Sequence, residues 1–310
     1  MIEESQEQYE KMKLTRKRTQ KALQHAIKYA DRADIAPIWK TALVGTVQFP
    51  YLSYPLLEQT GIVKHCFTTR FGGVSKGMFE SLNLSFSRGD EHAAVEENFH
   101  RVSQALGVDY GKFVFTDQTH TTNVKRVCLE DAGKGLTRER GYSDVDGLIT
   151  NEAGVVLSTF YADCVPLYFV DVSNHAIGLS HSGWRGTVRR MGHVTLEAMR
   201  REFGSKPEEV VCAVGPSICQ DCYEVGKEVA EEFIQEFPSY RQEILKDKGN
   251  GKYQLDLWRT NEIILLEAGI KPEHLSVTDI CTCCNSKILF SHRASHGKRG
   301  NLGAFLCLKP

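Results

Sequence analysis

Residues 165–182 read VPLYFVDVSNHAIGLSHS, two runs rich in β-branched and aromatic residues joined by a short polar turn. Both runs are short, apolar and bounded by turn residues, so they read as core strands rather than helices. Chemically active groups crowd their mouths. Asp163 and Cys164 precede the first run, and His181-Ser182-Gly183-Trp184-Arg185-Gly186 follows the second. An acid, a thiol, an imidazole and a guanidinium at the ends of buried strands call for an explanation beyond packing.

The rest of the chain narrows the classes of answer. At 310 residues it can form one large domain or two. Hydrophobic residues make up 41% and charged residues 25%, which is ordinary for a globular protein with a sizeable core. The net charge of -1 leaves no basic footprint for nucleic acid or an acidic membrane surface. No stretch approaches the ~18 apolar residues of a membrane span, and the charged opening segment has no signal-peptide core. A cytoplasmic location is the expectation. In that setting the ten cysteines read as buried hydrophobes, metal ligands or reactive thiols rather than disulfides.

Residues 7–31 suggest a helix with a partial apolar stripe (Met12, Leu14, Leu23, Ala26, Ile27) among many charges. It reads equally as an arm that contacts a protein partner or as a solvated helix. Pro37 breaks the pattern, giving an N-terminal helical extension over 1–40 and a domain over 41–310. Strands are expected at 62–69, 113–116, 123–128, 146–150, 155–160, 166–171, 175–181, 210–214 and 276–280. Helices are expected at 91–106, 187–203, 225–237 and 257–269. Strands that come in pairs, with helices between groups of strands, favour α+β over strict βαβ alternation.

His120, Cys164 and His181 each stand beside other polar groups at a strand edge. They are too far apart in sequence for a zinc finger or ribbon and would meet only through tertiary folding. Two imidazoles and a thiolate around zinc leave a position for water, the pattern of a site that performs chemistry, and zinc brings bound water to a pKa of roughly 7. The plainer reading makes Cys164 a small core residue and the histidines strand caps.

The ordered runs TTRFGGVSKGMFESLNLSFSRGD, DQTH, DVDGLIT, YADCVPLYFVD, HSGWRG, AVGPSICQDCYEVG and FSHRASHGKRGNLG resemble the laccase-domain family over about residues 44–310. That family is known as multicopper polyphenol oxidase, and its members are described as purine nucleoside phosphorylases with adenosine deaminase activity. The resemblance implies a single large mixed-sheet α/β/α-like domain. It also implies one metal, zinc or alternatively copper, on the residues that here are His120, Cys164 and His181. A purine nucleoside and phosphate would be the substrates.

A phosphorylase needs fixed donors for phosphate. Arg70 in TTRFGG and Arg185 in GWRG follow expected strands and are flanked by glycines, so they are the first candidates. The plainer reading makes the flanking glycines ordinary turn residues and Arg185 a surface ion pair. Asn83 is read as orienting substrate or phosphate, or else as a turn residue bonding its own backbone. Gln118 shares a face with His120 if that segment is extended. Asp163 then points away from Cys164 and holds a ligand histidine or an arginine. Asp144 and Asp146 share a strand face and read either as a paired-carboxylate acid/base device or, the favoured reading, with Asp146 capping or buttressing the strand mouth. Arg293 and Arg299 either reach the pocket or stabilise it.

Cys219-Gln-Asp-Cys222 and Cys281-Thr-Cys-Cys284 superficially match a four-cysteine zinc site. Their long separation does not itself join them, so reduced structural cysteines are the default. The leading reading is a zinc-dependent purine nucleoside phosphorylase acting on adenosine, inosine or methylthioadenosine, with adenosine deaminase activity as an addition. Copper-dependent phenol oxidation, editing of peptidoglycan precursors and a metal-stabilised interaction protein are the alternatives.

Overall fold

The computed structural model describes residues 36–310, so the expected helix at 7–31 and nearly all of the N-terminal extension lie outside the described residues. In chain order the strands are β1 (Ile38–Val44), β2 (Val47–Ser53), β3 (Val63–Thr68), β4 (Phe113–Phe115), β5 (Val124–Arg126), β6 (Gly147–Thr150), β7 (Val156–Tyr161) and β8 (Val165–Asp171). They continue as β9 (Ala176–Ser182), β10 (Val210–Val214), β11 (Glu224–Gly226), β12 (Leu245–Asp247), β13 (Lys252–Leu255), β14 (Leu275–Val277) and β15 (Leu302–Leu308). Two mixed sheets carry the fold, in the orders β1-β2-β3-β15-β7-β4 and β14-β10-β8-β9-β6-β5; β11-β13-β12 form a small third sheet.

The opening hairpin explains the layering. Alternate residues of a strand face opposite sides, and both sides of β8 are apolar. Val165, Leu167 and Phe169 pack with Leu196, Met199, Ile263 and Ile264 from the helices Met191–Phe203 and Leu257–Glu267. Tyr168 and Val170 of β8, with Ile177 and Leu179 of β9, instead meet Leu157, Leu302 and Leu306 of the other sheet. The helix His92–Leu106 covers the far face of that sheet through Val95, Phe99 and Val102. The expected mixed-sheet α+β fold is present, and the sheet layer between its helices is two sheets thick.

Two parts of the first sheet escape the strand pattern. Pro50 argues against a strand, but β2 pairs with β3 only at Tyr51 and Leu52, so Pro50 lies beyond that contact. In β15, Gly303 interrupts a run that is otherwise apolar, because a Cβ there would strike the Phe305 ring and Leu84. Yet β15 is central, antiparallel to both β3 and β7. Phe305 is fully buried in an aromatic cluster, with ring centroids 5.4 Å from Phe113 and 6.4 Å from Phe99. Phe305→Ala is expected to cost about 3–5 kcal/mol of stability, read as a lower denaturant midpoint with an unchanged slope.

Candidate metal centre

The register of β8 and β9 builds the first half of the site. Pro166 lies opposite His181 and Val165 opposite Ser182, which sets Cys164 across from Gly183 at the open end of the hairpin. His181 continues the face of Ile177 and Leu179 and points between the sheets, where Cys164 also packs. A side chain at position 183 would not fit, since its Cβ would lie 2.7 Å from the His120 ring and 3.1 Å from Cys164 Sγ. Glycine here is a requirement of close approach rather than of a turn.

His120 arrives from a bend between β4 and β5, held by Asp146 immediately before β6. Fully buried Asp146 accepts the backbone N–H groups of Thr119 (2.9 Å), His120 (3.2 Å) and Thr121 (3.1 Å). Its Oδ1 also lies 2.6 Å from His181 Nδ1. Three successive amides converge on one carboxylate because His120 adopts a left-handed backbone, φ 67°. One donor atom each from His120, Cys164 and His181 then lie within 4.8 Å of one another, with Cys164 Sγ 3.9 Å from His120 Nε2.

Burial pushes the Cys164 thiol up, but the neighbouring imidazoles of His181 and His120 outweigh it and bring it down to about 6. Burial lowers His181, and the Cys164 sulfur and the Asp146 carboxylate more than offset this, raising it to about 9. For Asp146, burial opposes ionisation, and its bonds to His181 and the backbone amides hold it below the usual carboxylate range. The mutual interactions of these three groups favour a thiolate on Cys164, an imidazolium on His181 and a carboxylate on Asp146. That donor set fits a soft or borderline divalent metal. Asp146 occupies Nδ1 of His181 and leaves Nε2 to ligate, the carboxylate–histidine–metal arrangement that fixes ring orientation.

The other expected residues are dispersed. Gln118 lines the same cavity, but its amide is locked onto the Phe160 backbone by two 2.7 Å bonds. The left-handed turn at His120 removes the shared strand face expected for the two. Asp163 also has a left-handed backbone, φ 90°. Its carboxylate takes the Thr282 hydroxyl (2.6 Å) and the Arg293 N–H (2.7 Å), not a ligand histidine or a guanidinium. Asp144, φ 58° and exposed, bonds Thr119 and Asn123 and forms no paired-carboxylate device with Asp146.

Arg70 spans the Glu80 and Ser286 carbonyls and stacks on Phe290. Asn83 is buried and bonds Ser85, Asp90 and the Asn301 N–H. Arg185 is exposed and stacks over Trp184. None of these three lines the cavity.

That cavity, about 430 Å³, is lined by the metal trio, by Phe86, Phe115 and Phe160, and by Arg88, Arg140 and Arg299. Arg140 is paired with Asp117 at 2.5 Å. Arg299 is 8% exposed, and its buried Nε has no hydrogen-bond partner. Burial and then the charge of Arg88 lower its pKa to about 10. Sequence reasoning passed over Arg88, although SFSRGD closes one of the recognised runs; Arg140 stands in a loop without any spacing signal.

Residues 64–309 match the family model described as multi-copper polyphenol oxidoreductase laccase. The chain belongs to this laccase-domain family. "Purine nucleoside phosphorylase YlmD" of Bacillus subtilis is 35% identical over 244 residues, 78% of this chain and 87% of that one. "Adenosine deaminase RL5" from an unknown prokaryotic organism is 32% identical over 231 residues, 73% of this chain and 87% of that one. The crystal structure of the hypothetical protein YfiH of Bacillus licheniformis superposes with a TM-score of 0.80 at 31% identity, the match covering 87% of this chain and 99% of that one. Among the described residues no helix is long and apolar enough to cross a membrane.

Asp146→Asn sets an amide N–H against backbone N–H groups, and metal affinity is expected to fall roughly 10–100-fold in chelator competition. Metal titration of the metal-free laccase-domain chain near neutral pH is expected to release about one proton, because His181 must become neutral to ligate. Calorimetry in buffers of different ionisation enthalpy measures that proton.

Proposed function

We propose that the chain is a zinc-dependent purine nucleoside phosphorylase. The observation that carries this reading is Arg299. Its buried, unpartnered Nε and its proximity to Arg88 leave two cations facing a cavity that also holds the His120, Cys164 and His181 donors. An anion between the guanidiniums relieves both the missing hydrogen bond and the repulsion, and phosphate matches the guanidinium fork. The volume suits a nucleoside, and Phe86, Phe115 and Phe160 offer apolar walls to a purine. The relatives named purine nucleoside phosphorylase support the same assignment.

In phosphorolysis the bond from the sugar C1′ to the purine nitrogen breaks, its electron pair leaves with the base, and a phosphate oxygen bonds C1′. The proton that hydrogen phosphate gives up goes, directly or through solvent, to the leaving nitrogen, so the products are a free base and a pentose 1-phosphate. Arg88 and Arg299 hold the phosphate, and Asp146 fixes the ring of His181. His120, Cys164 and His181 would hold the metal, which when bound would supply Lewis acidity. Adenosine deamination, the activity in the name of RL5, is the second reading: water adds at C6 and ammonia leaves.

The test uses metal-quantified protein with adenosine or inosine, with and without phosphate, followed by chromatography. Expected are free base and ribose 1-phosphate only when phosphate is present, lost in Cys164→Ala. Arg299→Ala is expected to raise the KM for phosphate about 10–100-fold, the loss of a charged hydrogen bond. Inosine formed from adenosine without phosphate would establish deamination. Absence of any purine turnover at full metal occupancy would overturn the assignment and favour phenol oxidation or precursor editing.

A further inference from the structure

The second cysteine constellation is where the structure departs furthest from expectation. The segment after β10 and the segment after β14 run side by side: Thr278 N–H bonds the Val214 carbonyl, Thr282 N–H bonds the Ser217 carbonyl, and Ser217 bridges Cys281 in parallel. The remote Cys-x-x-Cys pairs are thereby laid against each other. Sγ atoms of Cys219, Cys222, Cys281 and Cys284 all lie within 4.8 Å of one another. A tetrahedron with 2.3 Å metal–sulfur bonds requires sulfurs about 3.8 Å apart. Cys222 and Cys284 are 3.3 Å apart, well beyond a disulfide bond, and none of the four cysteines is in a disulfide.

The backbone around the cluster also presents donors to sulfur. Cys281 Sγ accepts the N–H groups of Cys219 (3.3 Å) and Cys284 (3.4 Å), so amide dipoles point at that sulfur. Cys219 and Cys281 are buried, with Cys222 and Cys284 half-buried around them. Cys283, although adjacent, is not part of the four, and the i, i+3 spacing sets which cysteine of the CTCC run joins them.

We propose that Cys219, Cys222, Cys281 and Cys284 bind one zinc ion as a closed structural site, separate from the His120–Cys164–His181 centre. Four thiolates from two Cys-x-x-Cys pairs fill a tetrahedral zinc and leave no position for a reacting group. The clamp ties down one wall of the cavity. Next to it, Ile218 N–H bonds the Asp163 carbonyl at 3.0 Å, and Thr282 with Arg293 N–H holds the Asp163 carboxylate. The Arg293 guanidinium returns to the Cys222 and Glu224 carbonyls. The corner that presents Cys164 and the segment leading to Arg299 are therefore both anchored to the four-cysteine knot.

The test is metal content and cysteine protection, neither of which depends on turnover. Full-length protein purified without chelator is expected to carry about two zinc ions per chain and Cys164→Ser about one. X-ray absorption of that variant should show sulfur ligands only, at roughly 2.3 Å. In the same variant the four cysteines should resist alkylation until a strong chelator is added, as followed by peptide mass spectrometry. Cys222→Ser with Cys284→Ser should lose the second ion. The proposal is overturned if folded Cys164→Ser protein holds no stoichiometric zinc and its four cysteines alkylate at once or are recovered as disulfides.

Discussion

A single buried carboxylate organises the site. Asp146 gathers three consecutive amides and one imidazole nitrogen, so the loop carrying His120 and the strand carrying His181 are positioned by the same two oxygens. Burying a carboxylate is costly unless its lone pairs are filled, and these four donors fill them. Because the folded-state pKa is held below its ordinary value, this contribution to stability is complete above the usual carboxylate range. It is lost as pH falls through the lowered value. The same geometry leaves only Nε2 of His181 available to a metal, so folding and ligand orientation are one event.

The two-sheet layer supplies the rigidity. Cys164 and His181 sit at the open end of an antiparallel pair whose apolar residues are covered on both faces, which holds their donor atoms to the precision of strand register. The two arginines proposed to hold phosphate stand outside the sheets: Arg88 in the loop before the helix His92–Leu106, and Arg299 just before β15. The four-cysteine knot stands between these regimes, as it braces loops that no sheet holds.

Much of this was legible in the sequence where one local pattern decided the outcome. The core hairpin with Cys164 and His181 at its open end and the helix ending at Gly107 with φ 61° depend on short-range signals. What stayed hidden depended on long-range placement. β15 carries a glycine because of the Phe305 ring and Leu84 above it, and Pro50 is tolerated because β2 pairs there with β1, opposite Thr41, and not with β3. Arg70 and Arg185 have the glycine-flanked setting of anion binders, yet packing directs one to the Glu80 and Ser286 carbonyls and the other to solvent. Left-handed backbones at His120, Asp144 and Asp163 invalidate the alternation rule at the residues where the site is built, since that rule holds only for extended chain. The two cysteine pairs met through strand pairing, which spacing alone did not reveal.

The most direct test of the account is a crystal structure of the metal-loaded protein with anomalous data collected at the metal edge. The account predicts a peak at roughly 2.0–2.3 Å from a nitrogen of His120, Cys164 Sγ and His181 Nε2, with His181 Nδ1 still on Asp146. A metal bound through His181 Nδ1, with the Asp146 bond broken, or no peak among these three residues would contradict it.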